Sequence, residues 1–164
     1  MNAYQIAMRM EKEAEKAYRD MAEQTVDSTM KKLLLRLADD EVRHFSSFEK
    51  MANNESALKD IENFSDKFFA KDIFSEIKAQ NKRYNFNQEQ VDFYNKAARV
   101  EDETYNFYLE QAQIATDADT KKVFTLIANE EKKHHDIVNN LASFVSAPDV
   151  WLESAEFYKI VEEE

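Results

Sequence analysis

Two Glu-x-x-His motifs, Glu41-Val42-Arg43-His44 and Glu131-Lys132-Lys133-His134, stand 90 residues apart in this chain. Carboxylate and imidazole together suit divalent first-row metals, and a spacing of three puts both side chains on one face of a helix, one turn apart. A single such motif means little among so many glutamates and lysines. Two in register mean more, because the chain has only 3 histidines and two of them occupy the motif. Glu11 and Glu101 keep the same offset, and each is followed seven residues later by a tyrosine, Tyr18 and Tyr108. Tyr4/Tyr94, Ala7/Ala97, Arg9/Arg99, Glu13/Glu103, Asp27/Asp117 and Ala38/Ala128 keep it as well. A repeated helical hairpin, each copy carrying one Glu and one Glu-x-x-His, is the ligand set of a two-metal site inside a four-helix bundle.

The heights of these residues agree with that reading. Glu11 and Glu41 lie 15 residues either side of a turn centred near Val26, and Glu101 and Glu131 lie 15 either side of Thr116. Antiparallel helices rising ~1.5 Å per residue bring each pair to one level. Four carboxylates and two imidazoles then converge. Packed together without a counter-charge, the carboxylates repel, and burial raises their pKa values. Two divalent cations balance them and leave the imidazoles as neutral ligands. The duller reading, a solvated acidic groove or a decayed site, leaves the register of six donors unexplained. Glu13 and Glu103 also keep the repeat and are the alternative terminal pair, although Glu11 and Glu101 match the helical face better. His135 matches Phe45 in the other copy and is expected at the surface or behind the ligands. Tyr18 and Tyr108 are either core aromatics or donors to a ligand carboxylate. The second role is preferred, since a buried phenol needs a partner.

The elements that must hold these residues follow from caps and periodicity. A first helix is expected from about Ala3 to Thr25, capped by Asn2, with Ala7, Glu11, Ala14, Tyr18 and Met21 on one face. Asp27 caps a second, about Ser28 to Asn53, burying Leu34, Leu37, Glu41, His44 and Phe48. The second hairpin repeats this from about Asn87 to Ala115, then from Asp117 to about Val145. The two hairpins, about 3–53 and 87–145, are joined by a crossover of about 54–86. There Leu58, Ile61, Phe64, Phe68, Ile73, Phe74 and Ile77 suggest one or two short amphipathic helices. So long a connection can also exchange hairpins between two protomers, so a homodimer is expected. After Pro148 a short docking turn or helix should pack Trp151 and Phe157 and leave Glu162 to Glu164 solvated.

Composition agrees with an all-α protein. The 164 residues form one domain by size and contain no Gly, a single Pro and no Cys. Disulfides, thiolate zinc sites and iron–sulfur centres are excluded. The net charge of −11 argues against a nucleic-acid partner. No stretch has the length of a membrane span, and the charged start, Met1 to Lys16, does not read as a signal peptide, so a cytoplasmic protein is expected.

The segments Met10 to Tyr18, Ala38 to His44, Val100 to Tyr108 and Ala128 to His134, with the ending Pro148 to Phe157, resemble the ferritin-like di-iron superfamily, most closely its rubrerythrin-like branch. The resemblance covers nearly the whole chain. It implies an all-α, ferritin-like four-helix bundle of two hairpins joined by a long crossover, with a carboxylate-bridged pair of irons. Glu41 and Glu131 would bridge, His44 and His134 would each cap one metal, and Glu11 and Glu101 would be terminal. Mn would also suit these donors, and Zn could occupy them in a purified sample. The implied activity is reduction of hydrogen peroxide or dioxygen, a response to oxidative stress. Full-length rubrerythrins carry a rubredoxin domain with four cysteines. This chain has none, so a separate donor, such as a rubredoxin-like protein, is expected. Typical rubrerythrins also have a further, exchangeable carboxylate three residues after the terminal Glu of the third helix, where Thr104 stands here. The alternatives are a ferroxidase or iron-handling protein, a dimanganese catalase-like enzyme, and a non-enzymatic helical interaction module.

Overall fold

The structure is a computed structural model and describes residues 1–64 and 70–153. Among these residues every regular element is an α-helix: α1 (Ala3–Gln24), α2 (Ser28–Ala52), α3 (Leu58–Asn63), α4 (Ala70–Ala79), α5 (Gln88–Ile114), α6 (Ala118–Ser146) and α7 (Pro148–Glu153). The four long helices start where short polar side chains meet exposed backbone N–H groups. Asn2 Oδ1 accepts from Gln5 N at 2.9 Å while Gln5 Oε1 accepts from Asn2 N at 3.0 Å. Asn87 and Gln90 repeat this reciprocal cap on α5 at 2.8 and 3.0 Å. Asp27 caps α2 through Met30 N at 2.9 Å, and Asp117 caps α6 through Thr120 N at 2.8 Å. The two aspartates keep the repeat, whereas Asn87 lies five residues earlier in its copy than Asn2. This makes α5 27 residues long against 22 for α1.

The helix ends fall within a residue or two of expectation. Helix α1 stops at Gln24 because Thr25 turns to extended backbone, its Oγ1 donating to Met21 O at 2.7 Å. Asn53 likewise caps α2 rather than extending it. The crossover holds two short helices, α3 and α4. Ile61 in the first, and Ile73, Phe74 and Ile77 in the second, are buried. Phe68, Phe157 and Glu162 to Glu164 lie outside the described residues.

The chain divides into two compact units, Met1–Ser65 with Thr104–Glu131, and Asp66–Glu103 with Lys132–Glu164. In the first, α1 and α2 form the antiparallel hairpin. Phe48, Tyr108 and Phe124 pack with ring centroids 5.1 to 5.7 Å apart, and Tyr4 stacks on Phe124 at 5.5 Å. Each such side chain contributes about 1.5–3 kcal/mol by leaving water. On α1, Ala7, Glu11, Tyr18 and Met21 are buried as the periodicity requires, and Ala14 is half-buried. In the second unit the core is aromatic. Phe144 meets Trp151, Tyr84 and Phe86 at 4.9, 5.0 and 5.4 Å. Helix α7 is therefore a docked turn: Trp151 is buried and its Nε1 donates to Asn140 Oδ1 at 2.8 Å.

Candidate metal centre

Glutamate is rarely buried without a partner. In the first unit three glutamates and one histidine are buried close together: Glu11, Glu41 and Glu131 are each 1% exposed, and His44 is 0% exposed. Each offers one ligand atom, and these four atoms lie within 4.8 Å of one another. Helix α1 supplies Glu11, α2 supplies Glu41 and His44 one turn apart, and α6 supplies Glu131. His44 Nδ1 is 2.9 Å from Glu131 Oε1, 3.5 Å from Glu11 Oε2 and 3.7 Å from Glu41 Oε2. On its far edge His44 Nε2 donates to Glu130 Oε2 at 2.5 Å. Glu130 also accepts from Arg43 at 3.2 Å. Tyr108, from α5, donates its hydroxyl to Glu11 Oε1 at 2.7 Å.

The electrostatics follow from this crowding. Burial first, then the Glu131 and Glu41 carboxylates, push Glu11 well above the usual carboxylate range. Burial alone would lower the His44 imidazole, but the Glu11 and Glu131 charges overcome it and hold His44 well above its ordinary value. Burial likewise raises Tyr108, and the negative charges of Glu11 and Glu131 raise it further. Burial would raise Glu130 too, yet its hydrogen bond to His44 and the charge of Arg43 bring it below the usual carboxylate range.

The donor set fits a divalent metal. Three carboxylates and an imidazole are hard-to-borderline donors of the kind Fe and Mn take. The Nε2–H···Glu130 bond fixes the ring so that Nδ1 is the nitrogen facing the carboxylates, and a carboxylate behind a ligating imidazole is the usual means of orienting it.

In the second unit Glu101 and His134 are also buried, 3% and 4% exposed. His134 Nδ1 lies 3.9 Å from Glu101 Oε1. Tyr18 is buried at 3% exposure. Glu13 and Glu103, the alternative pair, are both exposed. His135 donates Nδ1–H to Ala98 O at 3.0 Å and is spent on the backbone of α5. Thr104, one turn after Glu101, is buried at 7% exposure. Sequence reasoning passed over Glu130, because a residue next to Glu131 lies about 100° round the helix from it. A signal existed: Asp40 and Glu130 keep the repeat offset, placing an acid before each Glu-x-x-His.

An all-α chain with buried carboxylates and imidazole at helical spacing is a helical carboxylate-type metal protein in class. The rubrerythrin family model matches residues 6–142, and the chain belongs to that family. Its fold is accordingly the all-α, ferritin-like one, and the family implies a di-metal site. A search of the curated proteins found no match to the chain, and neither did a search of the solved structures. Among the described residues no helix is long and apolar enough to cross a membrane.

Proposed function

We propose that the chain is a non-haem di-iron oxidoreductase that reduces hydrogen peroxide or dioxygen. The observation that carries this is the closeness of the four buried donors Glu11, Glu41, His44 and Glu131, whose ligand atoms lie within 4.8 Å of one another. They would hold one metal. The repeat assigns Glu101 and His134 to the second, with Glu41 and Glu131 shared as the family resemblance implies. A pair of ferrous ions supplies the two electrons that an O–O bond takes up.

The protein's part is positional and electrostatic. Glu11 and Glu41 would neutralise cationic charge in a buried site, where electrostatic attraction is stronger than in water. Tyr108 holds one oxygen of Glu11, leaving Oε2 to face His44. Glu130 holds His44 in one orientation. For the electrons of turnover we propose a separate donor of the rubredoxin-like class. A homodimer belongs to this reading, because so long a crossover can reach a second protomer, and a cytoplasmic location suits an oxygen-handling protein of this kind. Thr104, where the resemblance expects an exchangeable carboxylate, favours a second reading: an iron-oxidising protein with iron as its substrate.

Protein from iron-supplemented cells is to be analysed for metal and then mixed with peroxide or dioxygen in single turnover. Two irons per chain and faster oxidation by peroxide are expected. At most one metal, or metal elsewhere than at Glu41 and Glu131, would falsify the di-iron reading, and repeated uptake of added ferrous iron would favour iron as substrate.

A further inference from the structure

Arg43, beside His44 on α2, is partly exposed, with a side-chain exposure of 24%. Its guanidinium pairs with Glu130 Oε2 at 3.2 Å and with Asp40 Oδ1, on its own helix, at 3.4 Å. A long side chain at a half-open position ordinarily gives little fixed geometry, because ordering it costs rotamer freedom and water competes for its donors. Here the guanidinium is covered. The ring of Phe64, the residue that ends α3, has its centroid 3.5 Å from Arg43 Cζ. A ring on the flat face of a guanidinium leaves the in-plane N–H groups free for carboxylates while excluding water from that face.

We propose that Phe64 is a positioning residue for the metal centre, acting through Arg43 and Glu130 on His44. The inference rests on the di-metal reading and deepens it. The contacts form one continuous line: Phe64 on Arg43, Arg43 on Glu130, Glu130 on His44 Nε2, and His44 Nδ1 facing Glu131. Phe64 is itself held. Ala57 and Ile61 anchor α3 in the core, and the exposed pairs Asp60–Lys50 and Glu62–Lys122, the second at 2.6 Å, add little to that hold. A segment with no metal ligand of its own therefore sets how firmly His44 is presented.

The test is the rate at which Co(II), loaded into the full chain and followed by its visible spectrum, is lost to excess EDTA. Phe64→Leu should release the His44-bound metal about tenfold faster, in the lower range for loss of a partner behind a metal ligand. Phe64→Tyr should restore the slow rate. Arg43→Gln should match Phe64→Leu, and the double variant should be no faster than Arg43→Gln alone, since one line of contacts can be cut only once. Lys122→Gln, which loosens α3 without touching Arg43, should stay within about twofold of the parent, as exposed pairs contribute little. Should the leucine variant fail to fold, Phe64→Met removes the ring while keeping the volume and gives the same reading. Parental release by Phe64→Leu or Phe64→Met, additive effects in the double variant, or equal loss from Lys122→Gln would overturn the inference while leaving the metal site standing. Absence of Co(II) from the His44 site in the parent chain would overturn both.

Discussion

His44 and His134 occupy the same place in two copies of one motif, and both are buried. Around His44, carboxylate oxygens of Glu131, Glu11 and Glu41 approach Nδ1 to 2.9, 3.5 and 3.7 Å, and Glu130 takes Nε2. Within its own unit, His134 Nδ1 stands 3.9 Å from Glu101. What differs is the packing of the two units. The first gathers Tyr4, Phe48, Tyr108 and Phe124, whereas the second unites Phe74, Tyr84, Phe86, Phe144 and Trp151 in an aromatic cluster. A duplicated sequence thus carries a duplicated ligand set beside unlike aromatic packing.

The comparison is broken most directly at the ligands. Glu11→Ala removes a buried charge from the His44 cluster and should cost the chain one tightly held metal, with single-turnover oxidation falling by about a hundredfold or more, beyond the usual effect of a residue behind a ligand. Glu13→Ala and Glu103→Ala should retain both metal and rate, because those carboxylates are exposed. Metal-to-protein ratios and stopped-flow rates for the three variants decide it. Were Glu13→Ala or Glu103→Ala the damaging change, the wrong helix face would have been assigned to the metals.

The aromatic unit should respond in the opposite sense. Trp151→Ala leaves a large gap beside Phe74 and Phe144 and removes the donor to Asn140. A loss of about 3–5 kcal/mol in denaturant unfolding is expected, with metal content per folded chain unchanged. A parallel loss of metal would show that the two regions are not energetically separate.

Tyr108→Phe sharpens the contrast at smaller scale. It leaves the buried Glu11 Oε1 without its hydroxyl donor, a cost of about 1–3 kcal/mol in the metal-free chain. Added divalent metal should recover much of it by taking over the carboxylate charge. Thermal unfolding with and without Mn(II) measures this, and a deficit that metal leaves untouched would argue that Tyr108 is packing alone.

The gentlest test is pH. Glu11 and His44 have folded values raised above their ordinary 4.5 and 6.5, so their contribution is complete below those values and is lost as pH climbs through the raised ones. Glu130, lowered from 4.5, contributes above its ordinary value and loses that contribution as pH falls through the lowered one. As pH rises above the ordinary glutamate value of 4.5 the metal-free chain should therefore lose stability. The loaded chain should gain over the same range, because its ligands must shed protons to bind. Calorimetry of both forms should show slopes of opposite sign. Matching slopes would mean that protons and metal do not compete for one cluster.

What the amino-acid sequence determined by itself is what depends on local spacing. Asn2, Asp27, Asn87 and Asp117 mark helix starts because a short polar side chain reaches the backbone N–H groups of its own first turn. Glu11 rather than Glu13 turns inward because it shares the 3.6-residue periodicity of Ala7, Tyr18 and Met21. The register of the two Glu-x-x-His motifs was legible for the same reason, and it was enough to list the six candidate ligands. Tertiary structure decided the contacts whose partners are far apart along the chain. Glu130 meets His44 across 86 residues, Tyr108 meets Glu11 across 97, and Phe64 covers Arg43 from the crossover. Trp151 finds Asn140 although neither belongs to the repeated pattern. Periodicity tells which way a side chain leaves its own helix. What it meets there depends on how the helices are laid together, which is set by packing and by satisfying every buried polar group at once.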